Sequence, residues 1–190
     1  MTCNGHTVRK GQEINLTRRN VPNFIISKSA SSGGDADARS LVARLKFYSE
    51  QFMECLDRGD ERYAANHSTD GLLIIVGLFD YFRNENDYGR ISDDKMGLHC
   101  GQIINKVSDE TRRAFVQDKK LDVTHPNYSD ASFRDALNKA AHFDGENSSF
   151  KIENGNHYLI LSAPEPRKST GFWVIEIKVS DLVATCLAAL

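Results

Sequence analysis

Between Asp35 and Arg58, the apolar residues Leu41, Leu45, Tyr48, Phe52 and Leu56 recur at steps of three and four, which predicts a helix with one apolar face. Gly59 follows and ends it. A second helix is predicted from about Asp60 to Asn84. It begins polar and becomes apolar nearly all round from Leu72 to Phe82, so its second half belongs in the core. Gly71 and Gly77 cost helix propensity there and leave room for a close neighbour. Asn84 to Gly89 reads as a turn. A third helical stretch is predicted from Ser92, with Asp93 and Asp94 in the first turn, where the macrodipole favours acids. Met96, Cys100, Ile103, Ile104 and Val107 form its apolar stripe. Ser108-Asp109-Glu110 opens a further short helix through Phe115 and Val116. Thr124 to Asn127 is a turn or extended loop, because the residue before Pro126 avoids the helical region. Ser129 or Ser132 then caps a helix from about Asp130 to Phe143.

After Gly145 the period changes from that of helices to that of strands. Phe150-Lys151-Ile152 precedes the turn signal Asn154-Gly155, and His157 to Leu161 follows as a strand. Pro164, Pro166 and Gly171 mark a loop. Phe172 to Val179 alternates and is rich in β-branched and aromatic residues, so it reads as a third strand. Ser180 caps a final helix, Asp181 to Leu190. The fold class expected is mainly α (α+β): a helical bundle with a small C-terminal antiparallel sheet of about three strands and a final helix. Residues 1–34, with the linker-like run Ser27 to Gly34, are expected to be flexible or ordered by a partner. Within them Asn23 to Ile26 suits a short strand or an apolar anchor. Residues 35–190 form one globular domain in this reading, helical over 35–145, β over 148–179, and helical again over 180–190.

Composition narrows the function classes more than it names one. The formal net charge of −2 gives no global support for non-specific nucleic-acid binding, although Arg112-Arg113 and Lys119-Lys120 supply a modest basic face able to meet an RNA backbone. That face is equally a solvated helix surface. Cys3, Cys55, Cys100 and Cys186 are widely spaced with no C-x-x-C pair, which reads as reduced thiols and a cytoplasmic protein. Met1 to Asn20 has no apolar signal region, and the most apolar stretch, Leu72 to Phe82, contains Asp80 and is too short to span a bilayer, so no membrane association is expected. His99-Cys100 lacks ligand spacing and a second pair, so no metal is expected. No Gly-rich phosphate loop is present, and no cofactor is expected. Trp173 reads as core.

The candidate chemistry lies on the predicted helix over residues 130–143. Arg134, Asn138 and His142 sit at i, i+4 and i+8, sharing one face, with Phe133, Leu137 and Ala141 on the face beside it. A guanidinium grips phosphate at two points, an imidazole moves a proton near neutral pH, and an amide orients either. Together they suit metal-independent cleavage of an RNA phosphodiester, with His142 as acid or base and Arg134 steadying developing charge. Lys139, Arg112 and Arg113 are the candidate RNA-backbone contacts. Structural roles account for the same residues: His142 as a helix C-terminal cap, and Arg134 in an ion pair.

An Arg-Asp start with a His further along one late helix of an all-helical domain resembles the HEPN domains. Their motif places four to six residues between Arg and His, whereas seven separate Arg134 from His142 here, a difference that turns the imidazole by about 100° per residue around the helix. The resemblance covers about residues 35–145. It implies an RNA-binding or ribonuclease-type protein of a bacterial toxin–antitoxin or phage-defence system, acting as a homodimer on RNA. The alternative is a non-catalytic module of the same kind (antitoxin, immunity or accessory protein) that binds a cognate protein partner.

Overall fold

The computed structural model describes residues 34–165 and 171–190. The expectations for residues 1–33, including the strand or anchor at Asn23 to Ile26, lie outside the described residues. The chain folds as α1 (Gly34–Asp57), α2 (Glu61–Asp87), α3 (Asp93–Met96), β1 (His99–Val107), α4 (Asp109–Asp118), β2 (Tyr128–Ser132), α5 (Phe133–Ala141), β3 (Ser149–Glu153), β4 (Asn156–Pro164), β5 (Phe172–Lys178) and α6 (Val179–Ala189). A 3-10 turn at Gly145–Asn147 joins α5 to β3. The fold is mixed α+β, and its sheet has five antiparallel strands in the order β2-β1-β5-β4-β3, where about three were expected.

The two long helices form a hairpin. Gly59 adopts φ +75°, and the bonds Asp60 N–H to Cys55 O (2.8 Å) and Gly59 N–H to Leu56 O (2.9 Å) close the Schellman turn that ends α1. The Asp60 side chain then caps α2 by accepting from the Tyr63 N–H. Phe52 and Leu45 of α1 and Ile75, Leu78 and Phe82 of α2 are fully buried against the sheet face that carries Leu159, Leu161, Trp173, Ile175 and Ile177. Helices α5 and α6 pack on the same core through Phe133, Leu137, Leu182 and Cys186. The opposite sheet face buries Ile104, Val107, Ile160 and Val174 under Leu121 and, from α4, Phe115 and Val116. The sheet is therefore sandwiched, with α1, α2, α3, α5 and α6 on the side of the larger core and α4 on part of the other.

Residues 99–107 overturn the expected third helix. Only Asp93–Met96 is helical, capped by Ser92, and the rest is strand β1. The helical spacing came from two irregularities in the strand. A register shift between His99 and Gly101 lets Cys100 and Ile103 face the same core, three residues apart. A second shift between Ile104 and Val107 puts those two on the other face, again three apart, with Lys106 at φ +56°. Bulges insert one residue into an alternating strand, and so imitate a period near three. Gly101 is needed at the first of them: a Cβ there would lie 2.5 Å from the Glu176 carbonyl oxygen.

Two smaller boundaries also differ. The helix expected from Asp130 starts at Phe133, because Tyr128–Ser132 is the edge strand β2 paired with β1. Ser132 is the cap, in a capping box with Asp135. The final helix begins at Val179 with no side-chain cap bond, so Ser180 is not its cap. The turn at Asn154-Gly155 has positive φ at both residues (51° and 71°), as a two-residue hairpin turn requires, and it joins β3 to β4.

Candidate functional site: the groove between α2 and α5

Helix α5 lies against α2, and its amphipathic pattern decides which side chains are presented. Phe133, Ala136, Leu137 and Ala140 point into the core, leaving Arg134, Asn138 and His142 exposed. Phe82 of α2 packs edge-on against Phe133, with ring centroids 4.8 Å apart, and fixes the two helices together. Beside that contact runs an open groove of about 380 Å³, lined by residues that include Phe79, Arg83, Asn86, Met96, Arg134 and Asn138.

At one end, Arg134 Nη2 donates to Asp93 Oδ1 at 2.6 Å and to Asn86 Oδ1 at 2.8 Å. The Asn86 amide is itself oriented: its Nδ2 donates to the Ile91 carbonyl at 2.9 Å and to Asp93 Oδ1 at 3.2 Å. This small network joins the end of α2, the start of α3 and the first turn of α5. It remains at the surface, with the side chains of Arg134 and Asp93 53% and 87% exposed. Arg83 lies along the same groove, its Nε 3.7 Å from Asp87 Oδ2 and its guanidinium 5.8 Å from the Phe79 ring centroid. Outside the groove's lining, the His142 ring meets Phe79 edge-on, with ring centroids 5.9 Å apart. His142 is the C-terminal cap residue of α5, at φ −124° and ψ 20°, and its N–H donates to the Lys139 carbonyl at 3.2 Å. It therefore stands just outside the helix on which the expected spacing was reckoned.

The structure thus presents Arg134 and Asn138 on one exposed side of α5, with His142 exposed just past the end of the helix, and the three do not form one compact cluster. Seven residues lie between Arg134 and His142, a rise of about 12 Å were helical geometry continued to His142. Of the other expected contacts, Arg112 is corrected: it is not part of an open basic face. It is 3% exposed, pairs with Asp109 at 2.5 Å, and lies over the Phe172 ring at 4.6 Å, because α4 rests on the sheet by that side. Arg113 is exposed but also pairs with Asp109, at 2.6 Å. Lys139 is half-buried, with its ammonium 4.6 Å from the Trp173 ring, and burial pulls its pKa below the usual lysine range while Glu165 and Asp135 oppose the fall. Both contacts are cation–π pairs that hold helices to the sheet.

Sequence reasoning missed Asn86 and Asp93 as partners of Arg134. They stand 48 and 41 residues away, in the last turn of α2 and the first turn of α3, and no local signal joins them to α5. It also missed a buried polar cluster at His157 of β4. That imidazole stacks on Phe52 with centroids 3.9 Å apart, and its Nδ1 and Nε2 lie 3.1 Å from Ser49 Oγ and 3.5 Å from Ser68 Oγ. Burial pulls the pKa of His157 down to about 3, so the ring is neutral. Cys55, Cys100 and Cys186 are buried free thiols, and burial pushes Cys100 up to about 12 and Cys186 up as well. Among the described residues, no group of three or more His, Cys, Asp or Glu side chains is arranged to hold a metal, and no helix is long and apolar enough to cross a membrane.

No protein-family model, no curated protein and no solved structure matches this chain. The functional reading rests on the groove alone.

Proposed function

We propose that this chain is an RNA-binding protein of HEPN-like character, and that the α2–α5 groove receives a single-stranded RNA backbone. The observation that carries this reading is the exposed pair Arg134 and Asn138 beside Arg83 along one open groove, with exposed His142 against Phe79 just beyond its lining. Two guanidiniums give phosphate contacts, and the amide of Asn138 bonds a base edge or a 2′-hydroxyl. In the ribonuclease form of this reading, a second copy brings its His142 beside this Arg134. A homodimer is accordingly part of the ribonuclease form of the proposal.

A second reading, a non-catalytic module for a cognate protein, is favoured by one observation: both groove arginines already face carboxylates, Arg83 with Asp87 and Arg134 with Asp93. The test is direct. The purified protein and its His142→Ala form are incubated with total RNA in the presence of chelator, and binding of labelled RNA is followed in parallel. Retained binding with cleavage lost in His142→Ala supports the ribonuclease form. Binding without cleavage in either protein supports RNA binding alone. Absence of both leaves the protein-partner reading.

A further inference from the structure

The contact between Arg134 and Asp93 is more than an incidental surface pair. Arg134 is the best-placed phosphate ligand of the groove, and one of its terminal nitrogens is shared between a carboxylate at 2.6 Å and an amide oxygen at 2.8 Å. The carboxylate is held in place by Asn86, whose Nδ2 donates to it and to the Ile91 carbonyl. It also belongs to the first turn of α3, which Ser92 caps. Asp93 engages Arg134 through the single oxygen Oδ1, and one anionic oxygen on a guanidinium nitrogen is a contact that a phosphate oxygen also makes.

We propose that Asp93 stands in for an RNA phosphate on Arg134 and acts as a built-in competitor that an entering strand must displace. This inference rests on the RNA-binding reading above and adds the regulation of that site. Displacement is within reach because the pair is exposed, and exposed ion pairs are worth little. A single small anion gains only the one contact it replaces. A polyanion that also meets Arg83 gains several, so the latch selects a strand over a mononucleotide.

The experiment measures binding of a fluorescein-labelled polyuridylate by fluorescence anisotropy at fixed salt, for the full chain and for Asp93→Asn, Asp94→Asn, Arg134→Ala and the Arg134→Ala/Asp93→Asn double variant. Asp94 is exposed next in the chain and has no bond to Arg134, so its substitution reports the general effect of removing one negative charge. Asp93→Asn is expected to tighten binding roughly two- to fivefold, the size of an exposed ion pair. Asp94→Asn is expected to do less, and the gain is expected to vanish once Arg134 is alanine. Asp93→Ser, which keeps a residue suited to a helix start, serves as a second variant should thermal unfolding show the first to be misfolded. Equal gains from Asp93→Asn and Asp94→Asn, or a gain that survives in Arg134→Ala, overturn the latch while leaving RNA binding intact. If neither the natural chain nor any Asp93 variant binds RNA, the RNA reading fails and the latch with it.

Discussion

Replacing His157 by glutamine should change how stability depends on pH, and the size of the change follows from the burial of the ring. His157 is 5% exposed, stacked on Phe52 between Ser49 and Ser68, and no acid contributes to its shift. In the unfolded chain its pKa is near the ordinary histidine value of 6.5, and in the folded protein burial lowers it to about 3. Below the unfolded value the unfolded chain gains a proton that the folded chain does not bind. The folded state is therefore favoured above pH about 6.5 and loses stability as the pH falls toward the folded pKa. Each unit of that interval is worth about 1.4 kcal/mol, so from neutrality to about pH 5 the loss from this one ring is about 2 kcal/mol. Glutamine keeps polar atoms within reach of Ser49 and does not titrate. Urea unfolding monitored by circular dichroism, at about pH 7 and about pH 5, gives the stability of each protein. The natural chain should lose about 2 kcal/mol more than His157→Gln over that interval, and equal losses would refute the claim that a neutral imidazole is locked in this core.

Gly101→Ala should destabilise the fold by more than about 2 kcal/mol, read from urea midpoints, because the added Cβ meets the Glu176 carbonyl oxygen at 2.5 Å in a strand held on both sides. Ser132→Ala removes the hydroxyl that accepts from the Asp135 N–H and donates to the Asp135 carboxylate, leaving only the backbone half of the capping box, and a loss of about 1 kcal/mol is expected by the same assay. Cys100 and Cys186 should resist iodoacetamide in the folded protein and react once it is unfolded in urea, as mapped by mass spectrometry, since both are buried with their thiols held protonated.

Much of the helical half was legible from spacing alone. The stripe from Leu41 to Leu56 and the apolar run from Leu72 to Phe82 each serve one dominant core, so local pattern and tertiary burial agree. The hairpin from Ser149 to Pro164 was legible for a related reason: Asn154-Gly155 has a conformation that few other residue pairs adopt. Strand β1 was not legible, because its bulges give it a helix-like spacing and its partner β5 lies about seventy residues further on, where no local signal reaches. Strand β2 was hidden for the opposite reason. It is a short edge strand with only Ala131 buried, so it carries almost no hydrophobic pattern. At the candidate site, the sharing of one face by Arg134 and Asn138 followed from helical geometry, whereas the Asn86–Asp93 bridge to Arg134 arises only when α2, α3 and α5 meet. Arg112 shows the converse. A charged residue on a polar-looking helix was drawn inward by the Phe172 ring and Asp109.

The salt dependence of RNA affinity, compared between the natural chain and Arg134→Ala, tests the groove most directly. Binding of a labelled single-stranded RNA through phosphate contacts makes the logarithm of the affinity fall linearly with the logarithm of salt, by about 0.7 for each contact on a single strand. The proposal predicts measurable binding by the natural chain and a slope shallower by about that amount when Arg134 is replaced. An unchanged slope, or no binding at any salt concentration, would contradict the assignment of the α2–α5 groove as an RNA site.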